Sequence, residues 1–429
     1  MTNRLRSLSR TPFAFVMAAS LLAIIPGSAV GVFADDIPTT HVPNSAKLVD
    51  LRVFNEVWSR VRDSFYDPSM KGLNWAALGR HYRSRVTERG GDLAGLINQM
   101  LAKLGASHTA YYTPDETAYY DLADIFAGGL RRELPKHFPG GEVSYVGIGI
   151  ASRAIEGRHF VSGVFDGFPA AAAKLMVGDE LIAVDGTPFE PVRSFSNKAG
   201  REVALTIRRH ARGEIRKLVV VPRRLRPNEM YRIAMANSAR LIERGGRKIG
   251  YVHVWSYARS AYQELLEDLM TSGTLKDADA LIWDLRDGWG GADPNYLDIF
   301  NPRSPTMILT DRRGQEDVVN GKWRKPVALL INEGTRSGKE VLAYGFKKYG
   351  LGPVVGTRSA GALLAGRAYL LSNGGLLVLA VADVSVDGQR LEGRGVTPLD
   401  SVPFDIRYAG GKDPQLARAV DLLAEPIGD

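Results

Sequence analysis

Val327-Ala-Leu-Leu-Ile-Asn-Glu-Gly-Thr-Arg-Ser-Gly-Lys-Glu340 passes from an apolar run straight into a helical pattern, and Ser337 stands at the corner. Residues 327–331 have the unbroken apolar character of a strand buried on both faces. Asn332, Glu333 and Gly334 interrupt it. From Ser337 onward Val341, Leu342, Tyr344 and Phe346 fit one side of a helix ending near Gly350. A hydroxyl at such a corner sees the positive end of the helix dipole, and the next amide, Gly338 N–H, can point at a developing oxyanion. Within this segment alone helix capping is the commoner role of such a serine, so the corner defines a nucleophile position without yet requiring one.

The chain around it has 429 residues, 45% hydrophobic and 24% charged, a globular composition with room for about two to four domains. Arg4, Arg6 and Arg10 precede an apolar stretch at 13–25, followed by small residues with Gly27-Ser-Ala29 or Val32-Phe-Ala34 as cleavage sites. Residues 1–34 therefore read as a secretory signal. The stretch is short for a membrane span and no second one follows, so the expected destination is periplasmic or extracellular, without stable membrane insertion after cleavage. An uncleaved anchor is the lesser alternative. Removing three arginines and no acids takes the formal charge from +8 to +5. That modest excess, with no long basic run or finger signature, argues against nucleic acid.

There are no cysteines, which excludes disulfides, thiol catalysis and cysteine-metal sites. The seven histidines show no His-Glu-x-x-His or paired ligand spacing, so neither a metal nor another cofactor is expected.

Three units follow the signal. In the first, residues 35–140, Val53, Val57, Val61 and Phe65 recur every four residues, widened by Phe54 and Trp58. Asn74 caps a second helix, Asp92 a third, and Gly105 stops it just before Ser107 and His108. The second unit, 143–224, has short strand-like runs at 147–151, 159–164, 180–184, 203–208 and 217–221 between glycine-rich turns, with one short helix at 170–175. The third, 228–429, alternates strands at 249–255, 280–285 and 327–331 with helices such as 262–270, the pattern of a mixed α/β core.

The middle unit resembles a PDZ domain. Tyr145-Val-Gly-Ile-Gly-Ile150 is similar to its carboxylate-binding loop and strand, and Gly178-Asp-Glu-Leu-Ile-Ala-Val-Asp-Gly186 to its most recognisable internal motif. The resemblance implies that Val146, Gly147, Ile148, Gly149 and Ile150 bind a peptide added as a strand beside the loop. The flanking units resemble the C-terminal processing (tail-specific) and tricorn-core serine proteases over nearly all of the mature chain. Asn332-Glu-Gly-Thr-Arg-Ser-Gly-Lys-Glu340 is similar to the family's nucleophile segment and Asp284-Leu-Arg-Asp-Gly-Trp-Gly-Gly291 to its glycine-rich strand end. Gly356-Thr-Arg-Ser-Ala-Gly361 and Leu391-Glu-Gly-Arg-Gly-Val-Thr-Pro398 are similar to two later segments. The implied fold is an α/β multidomain chain: an N-terminal helical segment, a PDZ-like domain and a mixed α/β, ClpP/crotonase-like protease core.

The same resemblance implies Ser337 as nucleophile, with the Gly338 and Gly290 amides forming the oxyanion hole. The tail-specific branch uses a lysine base at the position of Ala362, which cannot accept a proton. The tricorn branch uses a histidine that follows a serine ahead of the core, and a late glutamate, which implies Ser107, His108 and Glu392. Histidine suits the task because its free pKa lies near neutrality, and a glutamate on its far ring nitrogen would fix the tautomer. Ser107 would orient Glu392 or the histidine.

Taken singly these residues have plainer readings. His108 can hydrogen-bond the last turn of the preceding helix, Glu392 can be a solvated loop charge, and Gly290 and Gly291 can serve a tight turn. Lys339, two residues along the helix, should face away from the hydroxyl, and His253 should be structural. The family usually has Ser-Ala at Thr335-Arg336 and Asn at Gly288; Arg336 puts a cation beside the nucleophile that either recruits an acidic group or faces solvent.

The expected function is an exported serine endopeptidase cleaving unfolded polypeptides or protein C-terminal tails through an acyl-enzyme. The alternatives are a non-proteolytic protein that binds peptides or hydrophobic ligands on the same scaffold, and an adaptor using the PDZ groove. Assembly into a homo-oligomer stays open.

Overall fold

The computed structural model describes residues 44–88, 92–301, 307–318 and 322–425. The signal read at 1–34 lies outside the described residues.

The first unit is helical. Helices α1 (Asn44–Ser64), α2 (Trp75–Glu88) and α3 (Leu93–Ala102) form where the apolar stripes predict them. Asn74 Oδ1 accepts the Ala77 amide and Asp92 Oδ1 accepts the Gly95 amide, each at 2.9 Å, satisfying donors that the first helical turns leave open. Val53, Phe54, Val57 and Val61 are fully buried with Ile97 and Met100, but their packing partners also include Leu377 and Leu379 from near the C-terminus.

This apolar face explains how His108 is delivered to the core. The short strand Ala110–Tyr112 pairs antiparallel with strand Leu376–Ala382, Ala110 opposite Val378, and strand Ala365–Leu370 completes a three-stranded sheet. Helices α4 (Thr117–Ile125) and α5 (Ala127–Leu130) then lead to the middle unit.

That unit is a twisted antiparallel sheet, with strands in the order Ile150–Ile155, Arg158–Val164, Glu180–Val184, Val203–Arg208 and Ile215–Val220, around a core of Val161, Leu181, Phe195, Leu205 and Ile207. The first expected strand is divided. Tyr145–Gly147 pairs with Arg223–Leu225, Ile148 is buried, and Gly149 at φ +80° turns the chain into Ile150–Ile155, an edge strand. A side chain at Gly149 would meet the Phe168 Cβ at 2.2 Å. The helix expected at 170–175 is the single turn α6 (Pro169–Ala172), because Lys174 takes a left-handed conformation at φ +58°.

The last unit is a doubly covered sheet. Strands Arg240–Arg244 and Arg247–His253 form a hairpin, and Arg247–His253, Ala280–Asp284, Val327–Ile331, Val354–Gly356 and Asp400–Ser401 run parallel in that order. Successive residues face opposite sides. Ile282, Ala328 and Leu330 meet α10 (Pro414–Ala424), whereas Trp283, Leu329 and Ile331 meet the layer holding α7 (Pro227–Ser238), α8 (Ala261–Thr271) and α9 (Gly338–Lys348). Burial on both faces is what makes these strands read as continuous apolar runs. The catalytic candidates gather at the C-terminal ends of the parallel strands, where loops meet helix starts.

Candidate active site

Ser337 sits immediately after the turn that leaves strand Val327–Ile331, as the cap of α9, with φ 58° and ψ −132°. This is a costly conformation for a residue with a Cβ, and it is held by neighbours on every side. The Ser337 amide donates to Ala362 O at 2.9 Å and to Glu340 Oε2 at 3.2 Å. Its side chain is fully buried; Ser337 and Glu340 stand in a capping-box relation at the start of α9, yet Oγ makes no hydrogen bond of ordinary geometry among the described residues. The strained backbone is therefore fixed while the hydroxyl is left unspent.

Glu340 is the fastener. Its Oε1 accepts the Ser359 hydroxyl at 2.6 Å and the Gly361 amide at 2.7 Å, and its Oε2 accepts the Ala362 amide at 2.8 Å besides that of Ser337. Burial pushes this carboxyl above its ordinary value, and the four donors pull it back. An acid in the first turn of a helix reads as a capping residue in sequence; its grip on 359–362 is visible only in three dimensions.

The glycine-rich strand end lies over Ser337. A side chain at Gly290 would stand 2.5 Å from the Ser337 Cβ and 2.9 Å from the Gly338 nitrogen, and one at Gly338 would stand 2.3 Å from the Ala292 nitrogen. Only glycine permits this approach at either position. Lys339 is fully buried and directs Nζ onto Asp287 O at 2.9 Å, so it supports this loop from beneath; burial lowers its pKa to about 7. Arg336 is half-buried, with Nε on Gly334 O at 3.0 Å and its guanidinium 5.5 Å from the centre of the Trp289 ring.

His108, at φ 55°, is fully buried. Ser107 Oγ is 2.8 Å from its Nδ1 and donates to Glu392 Oε2, also at 2.8 Å. Because the hydroxyl spends its one proton on the carboxylate, it accepts from Nδ1–H, which leaves Nε2 as the lone-pair nitrogen. Nε2 has no partner. Burial, with the Arg336 charge adding to it, lowers the His108 pKa to about 3, so the resting imidazole is neutral.

The arrangement differs from the expected contact in one respect: Glu392 meets the histidine through Ser107 rather than directly. Its Oε1 takes the Ser107 amide at 2.9 Å and Oε2 takes the Leu363 amide at 2.7 Å, so with the Ser107 hydroxyl three donors hold it. One stretch joins both halves of the site. Ala362 O receives the Ser337 amide, Leu363 N–H goes to Glu392, and Leu364 N–H reaches Ser107 Oγ at 3.4 Å. The partnerless Oγ and Nε2 are not hydrogen-bonded to each other.

Val146 to Ile150 lie in the middle unit, away from these contacts. Gly149 O and Ile148 O are already engaged by the Phe165 and Ala170 amides at 3.0 and 2.9 Å. The edge strand that follows reaches the site through Arg153, which pairs with Glu333 at 2.7 Å and Asp287 at 3.3 Å. His253 Nε2–H donates to Arg286 O, 2.9 Å away, and the ring stacks on Trp255. It is a packed strand residue. Among the described residues no group of acids and histidines is arranged to hold a metal ion, and no helix is long and apolar enough to cross a membrane.

Comparison with known proteins gives three family matches and several relatives. Residues 248–401 match the peptidase family S41 model, 137–208 the PDZ domain and 51–102 the tricorn protease C1 domain. Tricorn protease homolog 1 of Streptomyces coelicolor is 26% identical over 86% of this chain, which spans about a third (35%) of that protein's length. The carboxyl-terminal-processing protease of Synechocystis is 25% identical over 76% of this chain and 74% of its own length. The crystal structure of the tricorn protease shares the fold with a TM-score of 0.52 at 18% identity, over 88% of this chain and 37% of that one. Residues 248–401 thus form a peptidase family S41 core with a PDZ domain ahead of it, in a chain similar to the carboxyl-terminal-processing and tricorn proteases.

Proposed function

We propose that this protein is an exported serine endopeptidase that cleaves unfolded polypeptides or protein tails through an acyl-enzyme. The observation that carries the reading is the shared stretch 362–364, which binds Ser337 on one side and the Glu392–Ser107–His108 relay on the other.

In this reading Ser337 Oγ attacks the scissile carbonyl and His108 Nε2 takes its proton. The imidazolium then forms with Nδ1–H on Ser107, and the Glu392 charge stabilises it through the serine hydroxyl. The Gly338 and Gly290 amides receive the oxyanion, and His108 returns the proton to the leaving amine. A low resting pKa suits a base that must start neutral, while the developing charge on the tetrahedral oxygen offsets the cost of charging a buried ring. Because Oγ and Nε2 are not hydrogen-bonded at rest, substrate must bring them into reach, as occurs when catalytic hydrogen bonds tighten only in the complex.

The PDZ domain would take a polypeptide tail as an added strand along Ile150–Ile155, whose outer edge has no partner strand among the described residues. Incubation with an unfolded protein substrate tests the reading: wild type should yield fragments and Ser337→Ala none. Equal cleavage by both would remove it.

The missing hydrogen bond between Ser337 Oγ and His108 Nε2 favours one second reading, a non-proteolytic protein that binds peptides or hydrophobic ligands. A peptide or lipid co-purifying with both wild type and Ser337→Ala, without fragments from either, would select it.

A further inference from the structure

The loop carrying Gly290 is held from outside the core by a carboxylate that neither the relay nor the nucleophile corner uses. Asp121, on α4, is buried. Its Oδ2 accepts the Tyr231 hydroxyl at 2.8 Å and the Trp289 indole N–H at 3.1 Å, and that indole also lies 3.2 Å from the Tyr231 oxygen. Oδ1 has no partner.

Three parts of the chain meet at this one oxygen. Helix α4 precedes the PDZ domain, α7 with Tyr231 follows it, and Trp289 adjoins Gly290. The Trp289 amide is also tied to Trp255 O at 2.8 Å. Phe165, at the end of a PDZ strand, packs edge-on against both Tyr231 and Trp255, with ring centres 5.3 and 4.9 Å apart. The PDZ domain's chain connections and the oxyanion loop thus meet in one polar contact at Asp121.

We propose that Asp121 is a positioning residue for the oxyanion loop, its ionised carboxylate holding Trp289, and through it Gly290, in register with Ser337 and with the helices that flank the PDZ domain. The proposal rests on the endopeptidase reading for its effect on turnover, but not for the contact itself. Charge matters because a carboxylate accepts two donors on one oxygen more strongly than a neutral acid does. Burial raises the Asp121 pKa to about 7, with Tyr231 and Trp289 drawing it down. The charged or titratable groups facing it are Asp124 on its own helix, Tyr231 on α7, Tyr145 on the strand entering the PDZ domain and Tyr262 on α8. Arg259 lies beside Asp124, and Arg336 beside the Trp289 ring. The tyrosines are all raised by burial and stay neutral; Lys339, lowered by burial to about 7 and bonded to Asp287 O in the same loop, also changes charge near neutrality, so it is the Asp121→Asn comparison that assigns the titration.

The test is an NMR titration of the Trp289 indole N–H, assigned by its loss in Trp289→Phe. In wild type the resonance should move with a midpoint near pH 7. The movement should vanish in Asp121→Asn, and its midpoint should rise in Tyr231→Phe, which removes a donor from the charged form. No movement, or the same movement in Asp121→Asn, overturns the proposal. In turnover of a small activated ester, Asp121→Asn should lose the acid limb of kcat near neutrality and sit about tenfold below the wild-type alkaline plateau, with KM unchanged. A wild-type kcat profile in that variant also overturns it. Absence of any Ser337-dependent turnover in wild type would instead remove the endopeptidase reading, leaving the indole titration to decide the contact.

Discussion

The Ser337 amide donates to the Ala362 carbonyl at 2.9 Å, so the position where the lysine-dyad branch would place a base contributes only backbone. Ala362 is one of the residues that join Ser337 to the Glu392–Ser107–His108 chain. Replacing it with lysine would put a long cation into a buried position rather than restore a dyad.

Stability of Ser337→Ala should be unchanged or slightly raised, because the buried Oγ makes no hydrogen bond whose loss would count against the variant. Denaturant unfolding checks this. A loss of more than about 1 kcal/mol, the value of an ordinary hydrogen bond, would mean that the hydroxyl is a structural cap.

The Glu392–Ser107–His108 chain should behave as one unit. Glu392→Gln and Ser107→Ala should each lower kcat about 10- to 1000-fold, and the double variant should lose little more than the worse single one. Additive losses in kcat would show that the residues act independently.

His108 links folding to pH. Burial first, and Arg336 second, hold its pKa at about 3, below the value near 6.5 of an unfolded chain. The unfolded state therefore binds the extra proton, and this contribution favours folding above about pH 6.5 but is lost as pH falls toward 3. Its size is on the order of 3–5 kcal/mol. Unfolding free energy should consequently drop more steeply for wild type than for His108→Gln between about pH 6 and 4. Parallel curves would contradict the buried neutral ring.

Gly290→Ala brings a methyl to 2.5 Å from the Ser337 Cβ. Acylation should fall at least about 100-fold, as for loss of an oxyanion donor, with a stability cost of about 1–3 kcal/mol from overpacking. Burst kinetics with an activated ester would measure the first and denaturant unfolding the second. Near wild-type acylation would place the oxyanion elsewhere.

Glu340→Gln should be the costliest conservative change. Both carboxylate oxygens receive two donors, so an amide nitrogen at either position would face two hydrogens. A loss of about 2–4 kcal/mol is expected from the unsatisfied groups. A melting temperature matching wild type would show that the 359–362 segment is held by other contacts.

The legible parts of this chain are those whose physics is local. The apolar run into Asn332-Glu-Gly announces strand and corner, and Asn74 and Asp92 announce two helices because their side chains accept amides three residues on. His108 is different. Its place depends on Ala110–Tyr112 pairing with Leu376–Ala382, a contact across most of the chain that leaves no local pattern, so only the family resemblance points to it. The serine between His108 and Glu392 was legible as a participant but not as the intermediary, since that depends on three donors converging on one carboxylate. Asp121 gave no signal at all. An acid within an amphipathic helix reads as solvated until Tyr231 and Trp289 are seen to close over it.

Reaction with a fluorophosphonate, followed by peptide mapping in a mass spectrometer, tests the central claim most directly. A single phosphonyl adduct on the peptide containing Ser337, greatly slowed in His108→Ala, is the predicted result; a folded wild-type protein that carries no adduct, or carries it on another serine, would contradict the account.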